Sequence, residues 1–426
     1  APRPLDWYFL YRLWYLTMLY RTFQTTRLLL CNSLKPIWIY GANLKLGVFI
    51  WTGFVNSDDY NWDCDYNKSN KNKMNEISTI LIEQINRAGP IRISDYMEIC
   101  LMHPKCGYYS KKDPFGTKGD FVTSPEISQV FGELLGLCLA QNWLDQGTPS
   151  FALVEAGPGR GTLMADILRA TKSIPGFHQS MTIHLIEKSQ TLIRIQGEQL
   201  SKYNIEWHET VESLPQKPVF FIANEFFDAL PIRQFRKDNL GWREILIGIE
   251  KNKLSYFLGN KIPLHTIAHR IKDTEIGDIV EICEAAKPIM EELSKRIKMF
   301  GGCAIIIDYG SNNLVGNTFQ AVKNHKKIDP LKHPGDCDLT AHVNFNDLSN
   351  YATNVVVSKT TTQGLLLRKL GISERFERLE TDLPKIQKLK LRSDKTRLIH
   401  SSQMGDLFKA IALVPSKVAL PIGFDI

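Results

Sequence analysis

The chain has 426 residues, 43% hydrophobic and 23% charged, an ordinary globular composition with room for two or three domains or one large α/β unit. Its net charge of +7 sits mostly at the front: residues 1–75 hold nine Lys/Arg against five Asp, which leaves only +3 for the remainder. So weak a surplus excludes a broad nucleic-acid footprint, and eight cysteines without a CxxC pair argue against a disulfide framework or a zinc site. A reducing compartment is expected, with no metal.

No acidic residue lies between Asp6 and Asp58, while Arg12, Arg21, Arg27, Lys35 and Lys45 recur among Trp, Tyr and Leu. Residues 1–74 therefore read as a mitochondrial presequence or, equally, as an over-extended gene model with Met74 as the alternative start. The longest uncharged run, Leu46 to Ser57, is too short to cross a bilayer, so no membrane span is expected. From Asn75 the pattern becomes regular. "NEISTILIEQINRAG" places Ile77, Ile80, Leu81 and Ile85 at helical spacing and stops at Gly89-Pro90. "RISDYMEICLMHP" reads as a second helix capped by Ser94 or Asp95. A glycine-rich loop and a helix from about Glu126 to Leu144 complete a helical N-terminal part over residues 75–150.

Four apolar runs then read as buried strands: "FALV", "TIHLIE", "VFFIAN" and "CAIIID". Helical stretches such as "TLMADILRATK" separate most of them, which predicts a parallel α/β sheet over residues 151–426. The gap between the third and fourth runs is too long for one crossover and must hold an insertion, at about 230–298. Its start alternates and carries Asp-Asn and Gly-Asn turn signals, so antiparallel hairpins are expected there.

"FALVEAGPGRGTLMADILRA" decides the ligand class. Gly157, Gly159 and Gly161 stand between a strand and a helix, where glycine allows a tight turn and close approach of a ligand to helix N–H groups. No Gly-Lys-Ser/Thr follows, which disfavours a triphosphate loop. Glu155 precedes the glycines, where a pyrophosphate is repelled and a cationic donor such as S-adenosylmethionine is welcomed. Glu187 ends the next strand, positioned for two ribose hydroxyls.

"GDFVTSPEISQVFGELLG", "EAGPGRGTLMADILR", "NEFFDALPIRQF", "IIDYG" and "DPLKHPGDCDLTAHVNF" together resemble the motif series of the MidA-type family, from about Asn75 to Leu420. The resemblance implies a class I, Rossmann-like methyltransferase with a seven-stranded, mostly parallel sheet, a helical N-terminal extension and an inserted β-rich segment. It also implies S-adenosylmethionine as methyl donor without a metal, and Ser124 and Glu126 in a loop over the cofactor. Mitochondrial members are arginine methyltransferases that assist assembly of respiratory complex I. The implied substrate is accordingly a protein, a subunit of that complex's peripheral arm beside the quinone site, methylated in the matrix to symmetric dimethylarginine. Gln320 and Val322 replace a more basic stretch, and Asn344 replaces the usual Asp; both departures bear on substrate contacts.

The residues themselves suggest how an arginine would be held. Its guanidinium is permanently charged and a poor nucleophile, so carboxylates must align it and accept a proton. Glu225 and Asp228 in "ANEFFDALP", at the end of a strand, are the candidates, with Asn224 assisting. Asp228 serves equally well as a turn cap. His342 in "DLTAHVNF" is a further candidate base, and Asp308 ends another strand. His265 and His269 lack a third ligand, and the basic run around Lys388 reads as a solvated helix face. Two other classes stay open: a non-catalytic assembly factor that keeps the fold, and a methyltransferase of another substrate class. A NAD-dependent dehydrogenase ranks last because of Glu155.

Overall fold

A computed structural model describes residues 75–111, 122–272 and 274–426; the expected presequence at 1–74 and most of the glycine-rich loop lie outside the described residues. Helix α1 (Glu76–Ala88) begins where the Asn75 side chain accepts from the Ser78 N–H at 2.8 Å, and it buries Ile77, Leu81 and Ile85. Helix α2 (Ile93–Met102) starts earlier than the expected Ser94 or Asp95 cap: Arg92 is the cap residue, and Asp95 reaches back to accept its N–H at 3.3 Å.

The four apolar runs are strands β1 (Phe151–Ala156), β2 (Met181–Ile186), β4 (Val219–Asn224) and β5 (Gly302–Ser311) of a central sheet, which also holds β3 (Ile205–His208), the short β6 (Val356–Val357) and β7 (Phe408–Val414). Their order is β6-β7-β5-β4-β1-β2-β3. Strands β1 to β5 run parallel, while β7 is antiparallel to β5 and β6 to β7. Two short pieces, Val343–Asn344 beside β5 and Thr361–Thr362 beside β7, bring the described sheet to nine strands. Every residue of β1 and β4 is buried, as a sheet covered on both faces requires. One face is covered by α3 (Gln129–Asp145), α4 (Thr162–Thr171) and helices between 363 and 399. The other is covered by α6 (Ala286–Phe300) and the helix Phe345–Tyr351, while α5 (Gln190–Gln199) joins β2 to β3.

The expected single helix from Glu126 is two. A turn at Ser124–Ile127 ends at Ser128, whose extended backbone (φ −157°) breaks the run and whose hydroxyl caps α3. Between β4 and α6 the chain makes antiparallel strands Arg233–Asp238, Gly241–Glu250, Lys253–Lys261 and Ile279–Ile282. The first turn, Asn239-Leu240, falls directly after Asp238, but the second is Lys251-Asn252, whose two residues both have positive φ; Gly259-Asn260 lies inside a strand. Helices α1 and α2 pack on this sheet through Ile232, Ile245 and Ile247, and Ile91–Arg92 adds a short strand to it. Among the described residues no helix is long and apolar enough to cross a membrane.

Candidate functional site

Strands β1, β4 and β5 end beside one cavity of about 360 Å³, and the first side of that cavity is the glycine turn. Gly157, Gly159 and Gly161 adopt φ of +64°, +53° and +82°, and α4 starts directly after them. A Cβ on Gly157 would stand 2.9 Å from Cδ2 of Phe226, so the turn tolerates no side chain there. Glu155 projects from β1 into the cavity while only 3% exposed. One carboxylate oxygen, Oε2, has no hydrogen-bond partner. Burial, with Asp166 adding negative charge nearby, pushes its pKa to about 8 against a backbone N–H bond from Met164.

Glu187 follows β2, and its Oε1 accepts from the N–H groups of Lys188 and Ser189 at 2.9 and 2.8 Å. Gln196 donates both to Glu187 Oε2 at 3.2 Å and to the Gly159 carbonyl at 2.8 Å. Glu187 is thus tied to the glycine turn, but among the described residues it does not line the cavity.

The opposite side is acidic. Glu225 follows β4 with φ +54°, a left-handed conformation uncommon for glutamate, held by its N–H bond to Ile307 at 3.0 Å. Its Oε1 accepts from the Ser124 N–H at 3.3 Å and from Asn224 at 3.1 Å, while Oδ1 of Asn224 is buried without a partner. Asp308, fully buried near the end of β5, fixes the loop: Oδ2 accepts from the N–H groups of Phe227 and Asp228 at 3.0 and 3.2 Å, and Oδ1 from Tyr309 at 2.9 Å. Asp228 is 5% exposed and lines the cavity beside Tyr309. Burial raises the pKa of Glu225 to about 8, with Asp228 adding to it; burial raises Asp228 to about 6, opposed by a bond from Tyr309. No Lys or Arg pairs with either carboxylate among the described residues. His342 also lines the cavity, its ring edge-on to Tyr309 at 5.2 Å, and burial lowers its pKa, so the imidazole is neutral near pH 7.

Ser124 departs from its expected place over the cofactor. It is fully buried, its hydroxyl donates to Gln363 at 3.2 Å, and it meets the site only through its N–H on Glu225. Glu126 does line the cavity and accepts from the Thr162 hydroxyl at 2.6 Å, bracing the first residue of α4. Sequence reasoning missed Tyr109, Tyr309, Asp338 and Lys327, all in the cavity wall, with the Tyr109 hydroxyl donating to Asp338 at 3.0 Å. Asp338 and Tyr309 stood inside strings already singled out, but no spacing links them to residues a hundred positions away. Gln320 and Val322 line the cavity too, whereas Asn344 caps the helix Phe345–Tyr351, accepting from Asn346 and Asp347 at 3.0 and 3.2 Å.

An unpartnered buried carboxylate oxygen beside a bare backbone cradle fits the ammonium and sulfonium of S-adenosylmethionine. Comparisons agree. A family model described as "Putative S-adenosyl-L-methionine-dependent methyltransferase" matches residues 134–362. The human protein named "Protein arginine methyltransferase NDUFAF7, mitochondrial" is 36% identical over 399 residues, 86% of this chain and 88% of that one. Its Xenopus tropicalis counterpart is 37% identical over 372 residues, 80% and 86% of the two chains. A crystal structure of a Burkholderia thailandensis protein bound to S-adenosyl-homocysteine superposes with a TM-score of 0.72 at 26% identity, covering 81% of this chain and 93% of that chain.

Proposed function

The chain belongs to the family of S-adenosylmethionine-dependent methyltransferases that these relatives define, and on that premise we propose that it methylates arginine side chains of a protein substrate. The observation that carries this reading is the acidic wall facing the glycine turn: Glu225, Asp228 and Asp338 share one cavity with Glu155. S-adenosylmethionine, held at the turn by Glu155 and Gly157 to Gly161, supplies a methyl group on a positive sulfur. The protein then has to place one guanidinium nitrogen in line with that methyl and take away a proton.

Glu225 and Asp228 suit both tasks. Buried carboxyls with raised pKa are stronger bases than exposed ones, and an entering guanidinium restores their negative charge by pairing with them. Each transfer breaks the sulfur–methyl bond, forms a nitrogen–carbon bond and releases one proton from the guanidinium. Asp228 or neutral His342 can receive it. Asp308 keeps the 225–228 loop in position without touching substrate, and Tyr109 and Tyr309 line the same cavity.

The motif resemblance supports a finer reading: a peripheral-arm subunit of complex I as client, symmetric dimethylarginine as product, and the mitochondrial matrix as location; the relatives' names carry arginine methylation and the mitochondrion. Mass spectrometry of a recombinant arginine-bearing client, with cofactor titration alongside, tests the proposal. Glu225→Gln should keep cofactor affinity and lower methylation by roughly thirtyfold to a thousandfold, about 2–4 kcal/mol, the loss of one charge-assisted contact. Normal methylation by the variant would make Glu225 structural. No methylation by the wild-type chain of any arginine client would favour a non-catalytic assembly role.

A further inference from the structure

Away from the cavity, at the open edge of the sheet, three potential metal ligands converge. His184 on β2 and Glu206 on β3 are direct register partners, and His208 lies two residues beyond Glu206, so all three side chains share one face. Nδ1 of His184 stands 2.9 Å from Nε2 of His208 and 3.7 Å from a carboxylate oxygen of Glu206. The ligand atoms of the three residues all lie within 4.8 Å of one another. None of the three lines the cofactor cavity.

The far nitrogens of both rings are occupied. His184 Nε2 lies 2.7 Å from the Thr182 hydroxyl, and His208 Nδ1 lies 2.9 Å from the Ser213 hydroxyl. Ser213 already donates to the Thr210 carbonyl, so it accepts from His208, which leaves Nε2 of His208 as a lone pair. Thr182 accepts from Lys217 at 3.1 Å and has the Phe151 carbonyl 3.5 Å away. If its proton goes to that carbonyl, His184 donates from Nε2 and two lone pairs face each other. If its proton goes to His184, Nδ1–H bridges directly to His208. The second arrangement is a closed hydrogen-bond chain; the first requires a cation between the rings.

We propose that His184, Glu206 and His208 bind a divalent transition-metal ion of the zinc type, which staples edge strand β3 to β2. Two imidazoles and a carboxylate are a common zinc ligand set, and outer hydrogen bonds that fix ring orientation are usual around metal-bound histidine. Zinc at about 2.0–2.1 Å from each nitrogen needs the rings to open by only a few tenths of an ångström to reach tetrahedral angles. Glu206 is more than half exposed and free to turn inward. Two cations face the pair: Lys217, held by Thr182, and Arg296, held by Glu292 and three backbone carbonyls. They oppose a shared proton as well as a metal, and the Glu206 charge offsets either; only the metal adds two dative bonds.

Chelator-stripped full chain should take up one equivalent of zinc by calorimetry, and zinc should raise its melting temperature. Cobalt in its place should give tetrahedral visible bands without thiolate charge transfer, which separates this site from the free cysteines. Glu206→Gln and His208→Gln change side chains that are not in the deep core and should each weaken zinc at least tenfold, while cofactor affinity stays unchanged. No zinc uptake, uptake unaltered in both variants, or a thiolate band would overturn the proposal and leave the rings as a hydrogen-bonded pair.

Discussion

Glu155 concentrates the physics of the donor site in one side chain. A carboxyl lifted to about 8 is mostly protonated at pH 7 in the free protein, and a cationic ligand must pull it back to the charged form. Cofactor binding at pH 7 should therefore release a proton, and affinity should rise with pH until about 8 and then level off. Calorimetry in two buffers of different ionisation enthalpy reads the release directly; zero net proton exchange would remove Glu155 from contact with the cation. Glu225 carries a similar shift on the acceptor side, but its charge matters for substrate, not for donor affinity. That division is why the Glu225→Gln experiment measures both.

At the scale of elements, the site is a set of strand ends and the turns that leave them. The glycine turn needs three left-handed residues, and Gly159→Val puts a β-branched side chain at φ +53°, which costs on the order of 1–3 kcal/mol and crowds the cradle. Cofactor binding should be lost while the far-ultraviolet circular dichroism of the folded chain persists; unchanged affinity in a folded variant would contradict the donor assignment. The loop after β4 depends on Asp308. Asp308→Asn keeps the shape but turns an amide toward the N–H groups that Asp308 accepts, leaving at least one unsatisfied at about 1–3 kcal/mol. Turnover should fall with little change in cofactor dissociation constant, since Asp308 anchors Glu225 and Asp228 and not the glycine turn. Equal loss of both would mean the two walls do not move independently.

The whole molecule inherits a pH dependence from these buried acids. Glu155 and Glu225 at about 8 and Asp228 at about 6 hold protons that the unfolded chain has already lost above its ordinary carboxyl range. The folded state then binds more protons than the unfolded one, so stability falls as pH rises, between about 4.5 and 8, and is level above that window for these groups. The free protein should melt at least a few degrees lower at pH 8.5 than at pH 5.5, and saturating S-adenosylmethionine should narrow the difference by supplying positive charge to Glu155. A melting temperature that rises across this window would show that the acids are charged in the free cavity. The acids cost stability as an empty site, and their ligands offset that cost.

Periodicity and local turn chemistry were legible in the sequence. Four apolar runs became four parallel strands, and Thr162 opened a helix after the glycines, because burial on both faces and left-handed turns each constrain residue type locally. Local signals failed where two readings cost nearly the same: a Ser128 break inside an apolar helix, or a turn at Lys251-Asn252 in place of Gly259-Asn260. The glycine turn, Glu155 and Glu225 could be found because each sits at the end of a strand, the first two at β1 and the third at β4. Asp338, Tyr309 and Tyr109 joined them only through the tertiary fold, since parallel crossovers and a small three-stranded sheet at residues 320–340 bring residues more than a hundred positions apart onto one cavity. Ser124 moved the other way, from an expected roof to a buried brace, because a backbone N–H and a hydroxyl look alike in a sequence until packing aims them. The pairing of His184 with His208 depends on strand register, which one chain's pattern leaves open and only the assembled sheet decides.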